Sequence, residues 1–147
     1  MKFAGFFARF IAYFIDGLAI AFLAWLVALV MGGVVGLTAG TGSGFLNFIS
    51  GTLALLTIAI MTLFQFLYFG YMWSRDGQSV GMKLMNMKVV EKGTEGPISF
   101  LRAGLRGTVG YWISSIIFGL GFIWAAFDSN KEGWHDKIFN TWVVAAR

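Results

Sequence analysis

The sequence predicts an all-α membrane protein with three parts: a two-helix transmembrane hairpin, a third apolar segment, and a short cytoplasmic β-ribbon. Three observations predict this class. Hydrophobic residues make up 58% of the chain and charged residues only 12%, about half of what a soluble domain carries. Two apolar stretches are each longer than the roughly 20 residues needed to cross a bilayer. The basic residues collect outside the turn that connects these stretches.

The first apolar stretch runs from about Phe6 to Leu37 and opens with several aromatic residues, which are typical of a membrane interface. The second runs from about Phe45 to Trp73 and contains no charged residue. The glycine-containing turn between them has no Lys or Arg, whereas basic residues flank both ends of the hairpin. By the positive-inside rule, both ends lie in the cytoplasm. We therefore expect a multi-pass protein of a bacterial or archaeal cytoplasmic (inner) membrane with a cytoplasmic N-terminus.

The third apolar segment, Thr108 to Phe127, is interrupted at Gly119–Gly121 and has two alternative paths. It is either a single span or a re-entrant hairpin. Strand-like pieces lie on both sides of it, at 84–90 and 140–146. They can form a ribbon only if the segment re-enters, because a full crossing would leave them on opposite sides. Lys131, Lys137 and Arg147 favour the re-entrant path, and we also expect Ser99 to cap a helix that begins near Phe100.

Two charged residues in the first apolar stretch require partners. Arg9 and Asp16 are seven residues apart, which places them on one helix face but about 10 Å apart along the axis. A lone charge at the bilayer centre costs roughly 2.5–3.5 kcal/mol, so each needs a partner from elsewhere. The candidates are Arg102 or Arg106 for Asp16, and Asp128 or Asp136 for Arg9. The cluster is then either a structural ion-pair network, the preferred reading, or an ion or proton site built on Asp16.

The remaining polar features do not indicate an enzyme. His135 is the only histidine, and beside Asp136 it fits a polar interfacial contact better than a metal site. The chain has no cysteine, no phosphate-binding loop and no basic-aromatic module, so we expect no metal, no cofactor and no nucleic-acid partner. Glycines recur every four residues at 32, 36, 40 and 44. In lipid this spacing lets helices approach closely, either within the hairpin or between copies.

Four separated blocks of the sequence resemble the RDD family of membrane proteins, named for one arginine and two aspartates. Residues 5–16 are similar to the opening of the family, with Arg9 and Asp16 in the first two named roles. Residues 77–90 resemble its central motif, Arg102 and Arg106 follow at matching places, and residues 127–144 resemble its C-terminal block. Either Asp128 or Asp136 could be the second aspartate, and Asp136 is preferred. Ser79 stands where threonine is usual, and Asn86 and Asn140 stand where glycine is common.

The resemblance implies a single membrane domain over residues 1–147 and a role in transport. Some members of the family are described as sodium–proton antiporters. A chain with one deep carboxylate would need to form an oligomer, or to join another membrane protein, to complete a pathway. The charge cluster expected at its centre comprises Arg9, Asp16, Arg102, Arg106, Asp128 and Asp136, with His135 as a contributor. The alternative function is a non-catalytic membrane scaffold or accessory subunit.

Overall fold

A computed structural model describes residues 2–146 of the chain, which form two compact units. One unit comprises the residues up to Gly17 together with those from Gln65 onward, and the other comprises Leu18–Phe64. Arg147, one of the basic residues used above to orient the C-terminal segment, lies outside the described range.

Two long apolar helices confirm the predicted hairpin, with boundaries shifted by one or two residues. Helix α1 covers Phe6–Thr38 and helix α2 covers Gly44–Arg75, and both are long and apolar enough to cross a membrane. The turn between them uses two glycines, Gly40 and Gly42, with positive φ, a conformation that other residues rarely adopt. The Leu18–Phe64 unit is fastened near this turn by a hydrogen bond of 2.5 Å between the hydroxyls of Thr38 and Ser50.

The predicted ribbon is present as two antiparallel strands, β1 (Met87–Glu91) and β2 (Thr141–Ala145). Val89 faces Val143 in the register, and both are fully buried. The start of the chain adds a further extended piece, since the Ala4 amide donates to the Val143 carbonyl at 2.9 Å. The ribbon therefore joins three distant parts of the sequence within one unit.

The third apolar segment is a bent helical pair, as the re-entrant reading predicts. Its first arm is α4 (Phe100–Leu105), a π-helical turn (Arg106–Gly110) and α5 (Tyr111–Ser115), and its second is α6 (Leu120–Phe127). The arms are bent by 92° at the apex, where Phe118 and Gly119 have positive φ. Because β1 and β2 precede and follow this pair and are hydrogen-bonded to each other, a single full crossing does not fit. Ser99 caps the pair as expected, with its Oγ 3.4 Å from the amide of Arg102.

Two short helices complete the larger unit, α3 (Val80–Leu84) and α7 (Trp134–Ile138). Each begins beside a residue of the predicted charge cluster. Ser79, the N-cap of α3, contacts Asp16, and Gly133, the N-cap of α7, contacts Asp136. These helices thus position the two aspartates.

Candidate functional site

Asp136 is the centre of a buried charge cluster. It lies in the first turn of α7 and is fully buried. Its Oδ2 accepts hydrogen bonds from Arg9 Nη2 and from the Gly133 amide, the latter at 3.0 Å. Its Oδ1 accepts from Arg106 Nη2 and, at 3.3 Å, from the Thr141 hydroxyl. Four donors therefore occupy the four lone-pair directions of a carboxylate.

Arg106 is fully buried between this carboxylate and an aromatic face. Its Nε donates to Thr141 Oγ1 at 3.1 Å, and its guanidinium carbon lies 4.4 Å from the centre of the Trp73 ring, a cation–π contact. Arg102 and Arg106 are four residues apart, a spacing that places two side chains on one helix face and is common at a membrane surface, but Arg106 is buried whereas Arg102 is partly exposed. The Arg106 amide bonds to the Arg102 carbonyl as in an ordinary α-helix, so the burial of Arg106 comes from Asp136, Thr141 and Trp73, which pack around its side chain.

Arg9 links the start of α1 to the same carboxylate. Asp136 is one of its two predicted partners, and Arg9 Nη1 also donates to the Lys131 carbonyl at 2.6 Å. Its Nη2 lies 3.4 Å from His135 Nε2. Since a guanidinium can only donate, that ring nitrogen must accept. We therefore assign the proton of neutral His135 to Nδ1, which lies 3.0 Å from Ser114 Oγ.

The surroundings of these two adjacent residues keep Asp136 charged and His135 neutral. Burial lowers the pKa of His135 to about 3, and the positive charges of Arg106 and Arg9 add to this, while Asp136 opposes it. Burial also disfavours ionisation of Asp136. The charges of Arg9 and Arg106 outweigh burial and hold the pKa of that carboxyl well below its usual range.

Asp16 belongs to a second cluster, and the arginine partners predicted for it were wrong. Its hydrogen-bond donors are the Tyr68 hydroxyl at 2.9 Å, the Ser79 hydroxyl at 2.5 Å and the Gly81 amide at 2.9 Å. A Cβ on Gly81 would collide with the Ala12 carbonyl oxygen, so this position requires glycine. Neutral donors on α2 and at the start of α3 thus satisfy the carboxylate that a basic residue was expected to neutralise.

The other charged residues of the prediction lie outside both clusters. Arg102 forms a salt bridge with Glu91 on β1. Asp128 accepts a hydrogen bond of 2.5 Å from Lys137 Nζ, and this hydrogen bond lowers the pKa of Asp128. Asp136, and not Asp128, therefore joins Arg9.

The departures from the RDD pattern at Asn86 and Asn140 have a conformational explanation. Both have positive φ, at 51° and 54°. Asparagine is one of the few residues other than glycine that adopts this region readily. These two positions require a left-handed backbone conformation, which asparagine can adopt, and they leave room for a side chain. Ser79 likewise supplies the hydroxyl that binds Asp16, which threonine also has.

A cavity of about 610 Å³ opens beside the two clusters, within the larger unit. Its polar lining includes Arg9, Asp16, Arg106 and His135. The rest is mostly apolar and comes from α1 and from both arms of the bent pair, including Phe10, Phe118, Phe122 and Ile123. This volume lies in the range of small-molecule sites, which combine apolar walls with a few polar groups.

The same cavity offers little to a metal ion. Among the residues that the structure describes, no group of three His, Cys, Asp or Glu side chains could hold one. Asp16 and Asp136 already accept three and four hydrogen bonds from protein donors. Arg106 Nη1 is buried without a hydrogen-bond partner within residues 2–146.

Comparison with known proteins identifies relatives along the whole chain. A model of the RDD family matches residues 3–140. The uncharacterized protein YxaI of Bacillus subtilis is 31% identical over 96% of both chains. The proline-rich antigen of Mycobacterium leprae is 30% identical over half of this chain, which corresponds to 29% of the antigen. No solved structure matches the chain.

Proposed function

The chain belongs to the RDD family of membrane proteins, and from this premise we propose that it moves a small solute as an oligomer in a cytoplasmic membrane. The single observation that carries the proposal is the cavity of about 610 Å³ beside the Arg9–Asp136–Arg106 cluster. Charged groups in membrane proteins mark substrate and ion pathways when they face a cavity. Arg9, Asp16 and Arg106 all line this one.

The hydrogen bonding favours an organic solute over a bare sodium ion or proton. A bound cation needs oxygen atoms with free lone pairs, and Asp136 has none left after its four donors. Asp16 keeps at most one lone-pair direction beyond the bonds to Tyr68, Ser79 and Gly81. The carboxylates in this proposal fix the shape of the cavity, and the solute contacts Arg9 and the aromatic walls.

The glycines of α1 support the oligomer. Gly32 and Gly36 are exposed, and a Cβ built on either would meet no atom within 4 Å. Close packing inside the hairpin therefore does not explain them. Glycines four residues apart allow helices to approach closely in lipid, and a second copy of α1 is the partner that we propose for them.

Flux measurements on proteoliposomes test the transport proposal. Wild-type protein is assayed with a sodium gradient, a proton gradient and a panel of small organic solutes. Ile123→Trp places a large ring in the cavity lining and should abolish the flux. Ile117→Trp is the matched control, since Ile117 is similarly exposed, 51% against 41%, at the apex and outside the cavity lining. Equal flux in the two variants would reject the cavity as the pathway.

Disulfide trapping tests the oligomer independently. The chain has no cysteine, so single substitutions can be read directly. Gly36→Cys should yield covalent dimers in native membranes. Val34→Cys lies two residues away, about 200° around α1, and should yield few. Equal trapping at both positions, or none at either, would contradict a dimer formed through the glycine face.

The second candidate is a non-catalytic scaffold, and the saturation of Asp16 and Asp136 by protein donors favours it. In this candidate, both carboxylates have a structural role only: their hydrogen bonds hold α1 against α3 and α7. This candidate predicts no flux under any gradient and a partner that co-purifies in mild detergent. A partner-free preparation with measurable flux would exclude it.

A further inference from the structure

We propose that the cavity binds an uncharged solute that carries an aromatic ring. The inference rests on the proposed function, because it names the class of solute that the same cavity takes. Three features of the site support it: the charges around the cavity offset one another, the ionisable side chains of its lining are bonded to the protein, and its walls are rich in aromatic rings.

The charges around the cavity offset one another within the protein. Arg9 and Arg106 are in the lining, and both form salt bridges with Asp136. Asp16, also in the lining, supplies a second carboxylate. His135 contributes no charge, since burial lowers its pKa to about 3. Two arginines and two carboxylates leave no excess charge to balance an ionic solute, and an unpaired charge is costly to bury.

The ionisable side chains of the lining are already bonded to the protein. Arg9 donates to a carboxylate and to a backbone carbonyl, and Asp16 accepts three hydrogen bonds. Both ring nitrogens of His135 lie within 3.4 Å of a protein partner. The guanidinium of Arg106 lies against Trp73, and its one nitrogen without a partner among residues 2–146 is inaccessible to solvent. These groups therefore give a charged solute no advantage over an uncharged one.

The walls of the cavity favour an aromatic ring on the solute. Of the fifteen lining residues within 2–146, seven are Phe or Tyr. Rings that stack or meet edge to face attract one another beyond the effect of the area they bury. Phe10 and Tyr13, both in the lining, are 56% and 39% exposed, so the protein leaves part of each ring uncovered for contact with a solute.

The same walls give little advantage to the acyl chain of a lipid. An acyl chain that leaves the bilayer for an apolar cavity gains little free energy, because the lipid around it is equally apolar. An aromatic ring gains the attraction between rings, which hydrocarbon chains do not supply. We therefore expect the cavity to distinguish an aromatic solute from a saturated solute of the same size.

Equilibrium dialysis of the whole chain in phosphatidylcholine nanodiscs tests the inference, with empty nanodiscs as the control for partition into lipid. The probe is radiolabelled naphthalene-2-methanol, and the competitors are naphthalene-2-carboxylate, naphthalene-2-methylammonium, decahydronaphthalene-2-methanol and 1-decanol. The probe should bind saturably, at least tenfold more tightly than either ion and at least threefold more tightly than either saturated alcohol. An ion that binds as tightly as the probe would overturn the argument from charge. A saturated alcohol that does so would overturn the argument from the walls, and a lack of saturable binding would overturn the whole inference.

Two pairs of variants test whether the probe binds in this cavity. Ile123→Trp should weaken binding of the probe at least tenfold, whereas Ile117→Trp should leave it within twofold. Phe10→Leu should reduce the preference for the aromatic probe over the saturated alcohol of the same size, and Phe14→Leu should not. Phe10 and Phe14 are matched, since both lie on α1 and are 56% and 57% exposed, but only Phe10 is in the lining. Equal effects within either pair would overturn the assignment to this cavity.

The outcome is separate from that of the flux experiment. Saturable binding of the probe without flux of any solute supports this inference and rejects transport. Flux of an ionic or saturated solute without binding of the probe supports transport and rejects this inference.

Discussion

Replacing Asp136 by asparagine should destabilise the protein more than most single substitutions, although it changes only one side-chain atom. The wild-type carboxylate accepts from Arg9, Arg106, Gly133 and Thr141 in a fully buried position. An amide turns one of the two oxygens into a donor that faces other donors. It also leaves two guanidiniums without a counter-charge. Breaking a buried ion pair in this way costs about 3–5 kcal/mol.

The measurement is the free energy of unfolding in detergent micelles, followed by tryptophan fluorescence. Asp128→Asn is the matched control because Asp128 pairs with Lys137, which is 44% exposed. Pairs of this kind contribute about 0–1 kcal/mol. A loss below about 1 kcal/mol at Asp136, or equal losses at both aspartates, would refute the reasoning. Adding Arg9→Met to Asp136→Asn should recover part of the loss, since it removes one unpaired charge.

Three further predictions concern neighbouring features. Gly81→Ala should lower the free energy of unfolding by about 3–5 kcal/mol, because the new Cβ collides with the Ala12 carbonyl and displaces the hydrogen bond to the Asp16 carboxylate. The control is Gly17→Ala, whose Cβ has no atom within 4 Å and which should change stability by under about 1 kcal/mol in the same unfolding assay. Similar losses in the two variants would contradict this account. His135 has a folded pKa near 3 and an unfolded pKa of about 6.5, so the unfolded state binds the extra proton and stability should fall by about 1 kcal/mol per pH unit from pH 6.5 towards pH 4.5. His135→Asn should flatten that slope, and an unchanged slope would show that another group titrates. Asn86→Gly should be tolerated within about 0.5 kcal/mol, and Asn86→Val should cost about 1–2 kcal/mol because of the positive φ; equal thermal midpoints for the two variants would show that φ does not limit this position.

The spans and the ribbon could be predicted from the sequence because each has a local signal. Length and hydropathy are enough to find α1 and α2. The strands around Val89 and Val143 are β-branched runs, and their pairing followed from the choice of a re-entrant path, which Gly119 marks. Comparison with the family pattern singled out Asn86 and Asn140, but only the structure shows that both have a positive φ.

The partners of Asp16 could not be predicted, since the donors are neutral and distant. Tyr68, Ser79 and Gly81 lie 52 to 65 residues away along the chain. A charge in an apolar stretch shows that a partner is needed but does not show whether it is basic or neutral. The burial of Arg106 was missed for a related reason. Asp136 and Thr141, which bind its side chain, lie 30 and 35 residues away along the chain, so no local signal shows that they enclose it.

The two compact units bear on how Arg9 and Asp16, the two charges in the first apolar stretch, are stabilised. The Leu18–Phe64 unit contains two helical arms of roughly 20 residues each, about the number that crosses the hydrocarbon core. Arg9, Asp16 and all their partners belong to the other unit. Each charge is therefore satisfied by donors and counter-charges within its own unit. Asp16 and Asp136 each require hydrogen-bond donors at fixed positions. This requirement explains why Gly81 and the hydroxyl of Ser79 occur together with the charged residues of the RDD pattern.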